Sequence, residues 1–170
     1  MHNNVRRGCE HVKKLKIYLE TSIFGRYFEK EEKEHKATFR LFEEIKQDKY
    51  EAYASVYVLT ELKKTKEKPR RLKLLSLIKD YNINFLETSE EDERLMKIYI
   101  KEGMIPKSKE DDAFHIASAS INNLDLIVSV NFQDINKLKV KKMVKFINKR
   151  EGYEEIKIVE PMEVVVDEKI

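Results

Sequence analysis

Short apolar runs alternate with helical periodicities along this chain, and that alternation restricts the fold more than any single motif does. Ile17-Tyr18-Leu19 reads as a short buried strand that breaks at Glu20-Thr21-Ser22. Helical spacing then runs over residues 31–48, with Ala37, Phe39, Leu41, Phe42 and Ile45 on one apolar stripe. Residues 50–55 read as a second strand, and Ser55 or Thr60 starts a helix that turns Val58, Leu59 and Leu62 inward. Pro69 suits the first turn of a further helix, which carries Leu72, Leu74, Leu75, Leu77 and Ile78. Residues 83–87 form a third strand, and the helix over 88–102 is closed by Gly103. After the break at Pro106, Ser108 with Asp111 has the form of a capping box, opening a helix that runs to Asn122. A strand ending at Val130, a helix over 140–149 and a strand over 156–159 complete the pattern. Strands alternating with helices predict an α/β fold with a mainly parallel central sheet and right-handed crossovers.

In open α/β sheets, ligands bind beyond the carboxyl ends of the strands. Four oxygen-bearing side chains stand at such hinges. Glu20 and Asn131 directly follow strands, and Glu61 and Asp112 lie near the starts of helices. A crevice that gathers them is first of all a Mg²⁺ or Mn²⁺ site, because hard cations prefer oxygen ligands. Hard cations in such sites commonly drive phosphodiester chemistry.

Each of these residues also has a plainer reading. Glu110 and Asp111 fall in the first turn of a helix, where acids stabilise the positive helix end. Asp112 instead heads the face of His115, Ile116, Ala119 and Ser120. A carboxylate so placed is partly buried and needs a partner, either a metal ion or a Lys or Arg. Glu61 could pair with Thr65 or Lys64 on the surface. Glu20 could cap the next helix, as could Thr21 or Ser22. Asn131 could occupy a turn, and Asp134 is an outside candidate near the same edge. His115, alone on an apolar face, reads as a satisfied core residue rather than a general base. Ser22, Thr21 and Ser129 could orient a water or a phosphate.

Composition excludes several alternatives. Hydrophobic residues make up 41% of the chain, so it is not a disordered sequence. One cysteine, Cys9, permits no intramolecular disulfide, and with four scattered histidines it offers no zinc ligand pair. Four glycines include no phosphate loop, and no nucleophile elbow is present. No apolar run approaches the roughly 20 residues needed to span a bilayer, so a cytoplasmic protein without membrane attachment is expected. The net charge is only +3, but basic residues cluster over 63–71 and 137–150. Such runs are either solvated helix faces or footprints for a phosphate backbone. With no linker or repeat to divide the chain, residues 15–170 are expected to form one domain behind a flexible leader at residues 1–14.

Four segments together resemble the PIN domain, as found in the toxin half of VapBC-type toxin–antitoxin pairs. They are Tyr18-Leu19-Glu20-Thr21-Ser22, the run from Ser55 to Leu62, Asp112-Ala113-Phe114-His115-Ile116-Ala117, and the run from Leu126 to Phe132. The resemblance implies a PIN-like three-layer α/β/α sandwich and a Mg²⁺- or Mn²⁺-dependent ribonuclease site for single-stranded RNA. Carried over by position, Glu20, Glu61 and Asp112 form the acidic cluster, Asn131 takes the fourth place, and Ser22 or Thr21 is the hydroxyl beside the first acid. Two departures from the family pattern stand out: Glu20 is one methylene longer than the usual Asp, and Asn131 removes one negative charge. Arg26, Lys107 and Lys109 are candidates for holding the RNA backbone. The family also implies an antitoxin partner and a homodimer. The altered acid set keeps open a catalytically weakened RNA- or protein-binding module, and, more weakly, a structure-specific DNA nuclease.

Overall fold

Ile17, Tyr18 and Leu19 are fully buried, as a strand covered on both faces requires. They belong to β1 (Leu15–Leu19), the middle strand of a five-stranded, all-parallel sheet. The protein is described here by a computed structural model that covers residues 13–165. After β1 come α1 (Thr21–Arg26), α2 (His35–Lys46), β2 (Tyr50–Ser55), α3 (Val56–Lys63), α4 (Lys68–Asp80), β3 (Asn84–Leu86) and α5 (Glu90–Lys101). A 3₁₀ turn (Lys107–Lys109) leads into α6 (Glu110–Ile121), followed by β4 (Leu126–Val128), α7 (Leu138–Glu151), β5 (Lys157–Val159) and α8 (Pro161–Val164). Helices cover the sheet as the three-layer α/β/α sandwich expected from the sequence.

The strand order is β3-β2-β1-β4-β5. The chain moves outward from β1 through β2 to β3, then returns to the other side of β1 for β4. The gap between β1 and β4 is therefore the topological switch point, where neighbouring connections leave in opposite directions and open a crevice. Leu19 pairs with Val128, so the residues after both strands, Glu20 and Ser129, emerge side by side. The Glu20 amide donates to the Val128 carbonyl at 3.1 Å, and the Asp125 carboxylate accepts from the Lys16 amide at 2.8 Å. These bonds pin the register at both ends of the pair.

Local chemistry sets the helix ends. Ser55 caps α3 by accepting from the Tyr57 amide at 3.2 Å. Ser89 and Asp92 form a capping box at the start of α5. Pro69 sits in the first turn of α4, where a missing N–H costs nothing. Gly152 closes α7 in the left-handed conformation, with φ +85°.

Ser108 does not cap α6. Residues 107–109 wind into the 3₁₀ turn, so Ser108 lies inside that turn and Lys109 takes the boundary position without a side-chain bond. Neither α1 nor α8 was marked by a hydrophobic period, since six and four residues are too few to display one. On α4, Leu74 and Leu77 enter the core, Leu75 and Ile78 pack at its margin, and Leu72 is exposed. Phe39 on α2 also emerges, stacking on Tyr27 with ring centroids 5.3 Å apart. Cys9 and most of the expected leader lie outside the described residues.

Candidate active site

Glu20 leaves the end of β1 at the switch point and is buried, with 3% of its surface exposed. Its carboxylate accepts from the Ser22 amide at 3.2 Å, from the Ser22 hydroxyl, and from the Ser129 hydroxyl at 2.8 Å. The capping and site readings of Glu20 thus describe one arrangement: it caps α1 and projects into the crevice. Ser22 Oγ in turn accepts from the Val130 amide at 3.1 Å, tying α1 to the end of β4. Three donors converging on one carboxylate oxygen fix its position.

Glu61 arrives from the last turn of α3, not from near a helix start as the sequence suggests, because Ser55 caps the helix six residues earlier. It pairs with neither Thr65 nor Lys64; its Oε1 is hydrogen-bonded to Nε2 of His115. His115 is completely buried on α6, and its Nδ1 lies 2.6 Å from the Tyr18 hydroxyl, itself 2.7 Å from Ser55 Oγ. With a neutral imidazole, the chain runs from the Ser55 hydroxyl to Tyr18, from Tyr18 to His115, and from His115 to Glu61. Every member of this buried chain has a partner, and its end orients a carboxylate. Burial works to lower the His115 pKa, but the bond to Glu61 and the charges of Glu61, Glu20 and Asp112 outweigh it and raise the pKa. Burial first, and the Glu20 and Glu61 charges after it, push the Tyr18 hydroxyl well above the ordinary range.

Asp112 stands in the first turn of α6, half-buried. Its pKa is pushed up to about 6 by burial first and then by Glu20, with Asp134 and Glu61 adding to the shift and His115 opposing it. Of the two partners open to Asp112 from the sequence, the Lys or Arg is not there. Among the described residues no lysine or arginine pairs with Asp112, Glu20 or Glu61. The carboxylates gathered at this edge therefore repel one another, most clearly at Asp112.

Asn131 follows β4 in a turn, where its Oδ1 accepts from the Asp134 amide at 3.1 Å. That bond directs its Nδ2 toward Asp112 Oδ1, 3.5 Å away. Asn131 thus offers Asp112 an N–H donor, while its carbonyl is already engaged in the turn.

The candidate backbone-binding residues divide. Ser22 is in the crevice, as described. Arg26 is not free to serve: its guanidinium faces Glu29 at 3.6 Å, Glu32 at 2.7 Å and Glu34 at 3.4 Å. Lys109 pairs with Asp134 at 3.5 Å on the rim, and Lys107 is exposed beside it. Tyr18 and Ser55 were missed as site residues. Their signal was a hydroxyl on a fully buried strand and a serine at a strand–helix junction.

An all-oxygen donor set whose three acids pair with no lysine or arginine among the described residues fits Mg²⁺ or Mn²⁺ in kind. Glu20, Glu61 and Asp112 would hold the ion. No group of three or more His, Cys, Asp or Glu side chains among the described residues is drawn in closely enough to form a finished ligand cage. A Mg²⁺ ion that keeps several waters does not need one.

The PIN domain sequence profile matches residues 17–139. Among solved structures, the chain is similar to VapBC2 from Rickettsia felis bound to a DNA fragment from its promoter, with a TM-score of 0.56 and 15% identity over 86% of this chain and 98% of that one. It also matches VapBC-5 of the toxin–antitoxin family from Mycobacterium tuberculosis, with a TM-score of 0.47 and 15% identity over 85% of this chain and 98% of that one. No curated protein sequence matches significantly. The profile match covers well over half of the chain and includes all three acids and Asn131, and the protein belongs to the PIN domain family.

Proposed function

We propose that this protein is a metal-dependent endoribonuclease that hydrolyses phosphodiester bonds in single-stranded RNA. PIN domains in general are nucleases, and the observation that carries the reading here is the convergence of Glu20, Glu61 and Asp112 at the switch point, with no lysine or arginine among the described residues paired to any of the three. A bound Mg²⁺ or Mn²⁺ would supply Lewis acidity at the phosphate and acidify a water. Glu20 is fixed by its three donors, so it gives the site a rigid wall. Glu61 is aimed by His115, which acts as a positioning residue and not as a base. Asn131 donates to Asp112 and steadies its carboxylate. Lys107, and Lys109 once released from Asp134, stand where they can receive the RNA backbone.

The family resemblance and the likeness to a VapBC complex support a toxin role, with an antitoxin partner and a homodimeric assembly. No helix among the described residues is long and apolar enough to cross a membrane.

One observation favours a second reading. Asn131 turns an N–H toward the acids where the family pattern has a fourth carboxylate, so a PIN domain with weakened catalysis that binds RNA or protein is the alternative. Cleavage of a fluorescent single-stranded RNA in Mn²⁺, Mg²⁺ or EDTA, beside the Asp112→Asn variant, separates the two. Metal-dependent cutting that disappears in the folded variant is the expected result. Wild-type-like cutting by Asp112→Asn would remove Asp112 from the site. No cutting in either metal, with RNA still bound in EDTA, would establish the binding module.

A further inference from the structure

A second recess opens beside the acidic crevice. Tyr57 lies one helical turn before Glu61 on α3, and Phe114 lies between Asp112 and His115 in sequence on α6. Their rings stack with centroids 4.4 Å apart and planes 20° from parallel. Tyr57 also meets the His115 ring edge-on, with centroids 6.3 Å apart. Both aromatics are only half-buried, although the core beneath them is filled by Val58, Ala113 and Ile116. With Thr88, Ser89, Glu90 and Glu93 they line a cleft of about 410 Å³. The cleft shares α3 and α6 with the acidic site and opens toward the β3–α5 junction.

The charge of this cleft indicates what enters it. Its far wall is the first turn of α5, where Glu90, Glu91, Asp92 and Glu93 follow one another. The Ser89–Asp92 capping box already occupies donors at that helix end. No lysine or arginine lines the cleft. A phosphate would meet carboxylates and no cation. An uncharged planar group would instead find an aromatic surface on one side and carboxylate acceptors on the other. Glu93 is partly engaged with Lys97 at 2.6 Å, and Glu90 makes no ion pair among the described residues. A nucleobase has this character: stacking on aromatic rings is tolerant of base identity, and the acceptors then sort bases by their N–H edges. Guanine presents N1–H and N2–H together and can engage both oxygens of a carboxylate. Adenine and cytosine present one amino group each. Uracil presents a single N–H flanked by two carbonyls, which carboxylates repel.

We propose that Tyr57 and Phe114, facing Glu90 and Glu93, form a nucleobase subsite that seats one base of the RNA beside the scissile phosphate and prefers guanine to uracil. The inference rests on the nuclease reading of the neighbouring crevice, and its test is made independent of turnover. Fluorescein-labelled hexaribonucleotides, all uracil or with one guanine, adenine or cytosine replacing a central uracil, are titrated by anisotropy against the full-length protein in EDTA. The expected result is about fivefold or tighter binding of the guanine-containing strand over the all-uracil strand. Glu90→Gln combined with Glu93→Gln, both on the surface, should abolish that preference. Tyr57→Leu and Phe114→Leu should weaken all four strands by about tenfold, with folding checked by circular dichroism. Equal affinity for all four strands, or a preference that survives the Gln pair, overturns the proposal even if the leucine variants fail to fold. Metal-dependent cleavage without base preference would leave the nuclease standing and remove the subsite. Selective binding in EDTA without cleavage in any metal would do the reverse.

Discussion

Asp112 is the residue at which the crevice is least at ease with itself. Its folded pKa, raised to about 6 from 3.8 by burial and then by Glu20, means that the folded protein holds this proton more tightly than the unfolded chain does. The penalty of ionising it is fully present above pH 6 and fades as the pH falls toward the unfolded value. In EDTA at pH 7.5, Asp112→Asn is therefore expected to unfold at higher urea than the wild type, with the gap closing between pH 6 and pH 4. A variant less stable than wild type throughout that range would show that the acid cluster is not repulsive. Tyr18 is the opposite case. Tyr18→Phe leaves the Ser55 hydroxyl and His115 Nδ1 without their shared partner and should cost about 1–3 kcal/mol in urea unfolding. Glu20 and Asp112 stood out in the sequence because one directly follows a buried strand and the other heads an otherwise apolar helix face. The partner of Glu61 was not legible: nothing in the sequence says that a histidine 54 residues away reaches it before Lys64 does.

The elements that position these residues are short and tightly closed. Register along β1 and β4 is fixed by the bonds at Lys16 and Glu20, and a slip of one residue would turn Tyr18 away from His115. Of the long helices, α2 declared itself through its apolar stripe and α5 through the glycine, Gly103, that closes it. Helix α1 did not, although it carries Ser22 into the site, because six residues are too few to show a period and its cap, Glu20, is held in part by Ser129 at the end of a strand formed much later in the chain. The 3₁₀ turn before α6 was hidden for a related reason: Ser108 and Asp111 satisfy a capping pattern that tertiary placement declines to use. Gly152 gives a test at this scale. Its φ of +85° is a conformation that L side chains rarely adopt, and nothing lies within 4 Å of an added Cβ. Gly152→Ala should therefore destabilise the protein by about 1 kcal/mol through the backbone alone, measured by thermal unfolding, while leaving RNA binding in EDTA unchanged.

Across the whole molecule, the site is made by elements that the chain brings from far apart. The sandwich and its parallel sheet were legible because alternation of strands and helices admits few other architectures. The aromatic recess was not, since Tyr57 and Phe114 meet only once α3 and α6 have packed together. If Glu20, Glu61 and Asp112 share a cation, Mn²⁺ should raise the melting temperature. At a hundredfold excess over Kd the gain is about 2.7 kcal/mol, or roughly 2–4 °C per kcal/mol for a domain of this size. The gain should shrink below pH 6 as Asp112 takes up its proton, and an unchanged melting temperature at pH 7.5 in millimolar Mn²⁺ would count against shared ligation. The pairing of β1 with β4 has one more consequence, and it concerns time. Glu20 is made early, but the hydroxyl of Ser129 that holds it is added 109 residues later. A chain still emerging from the ribosome has its first acid in hand and no crevice to place it in. On the ribonuclease reading proposed above, the RNA surrounding its own synthesis meets a finished site only after most of the protein has been made.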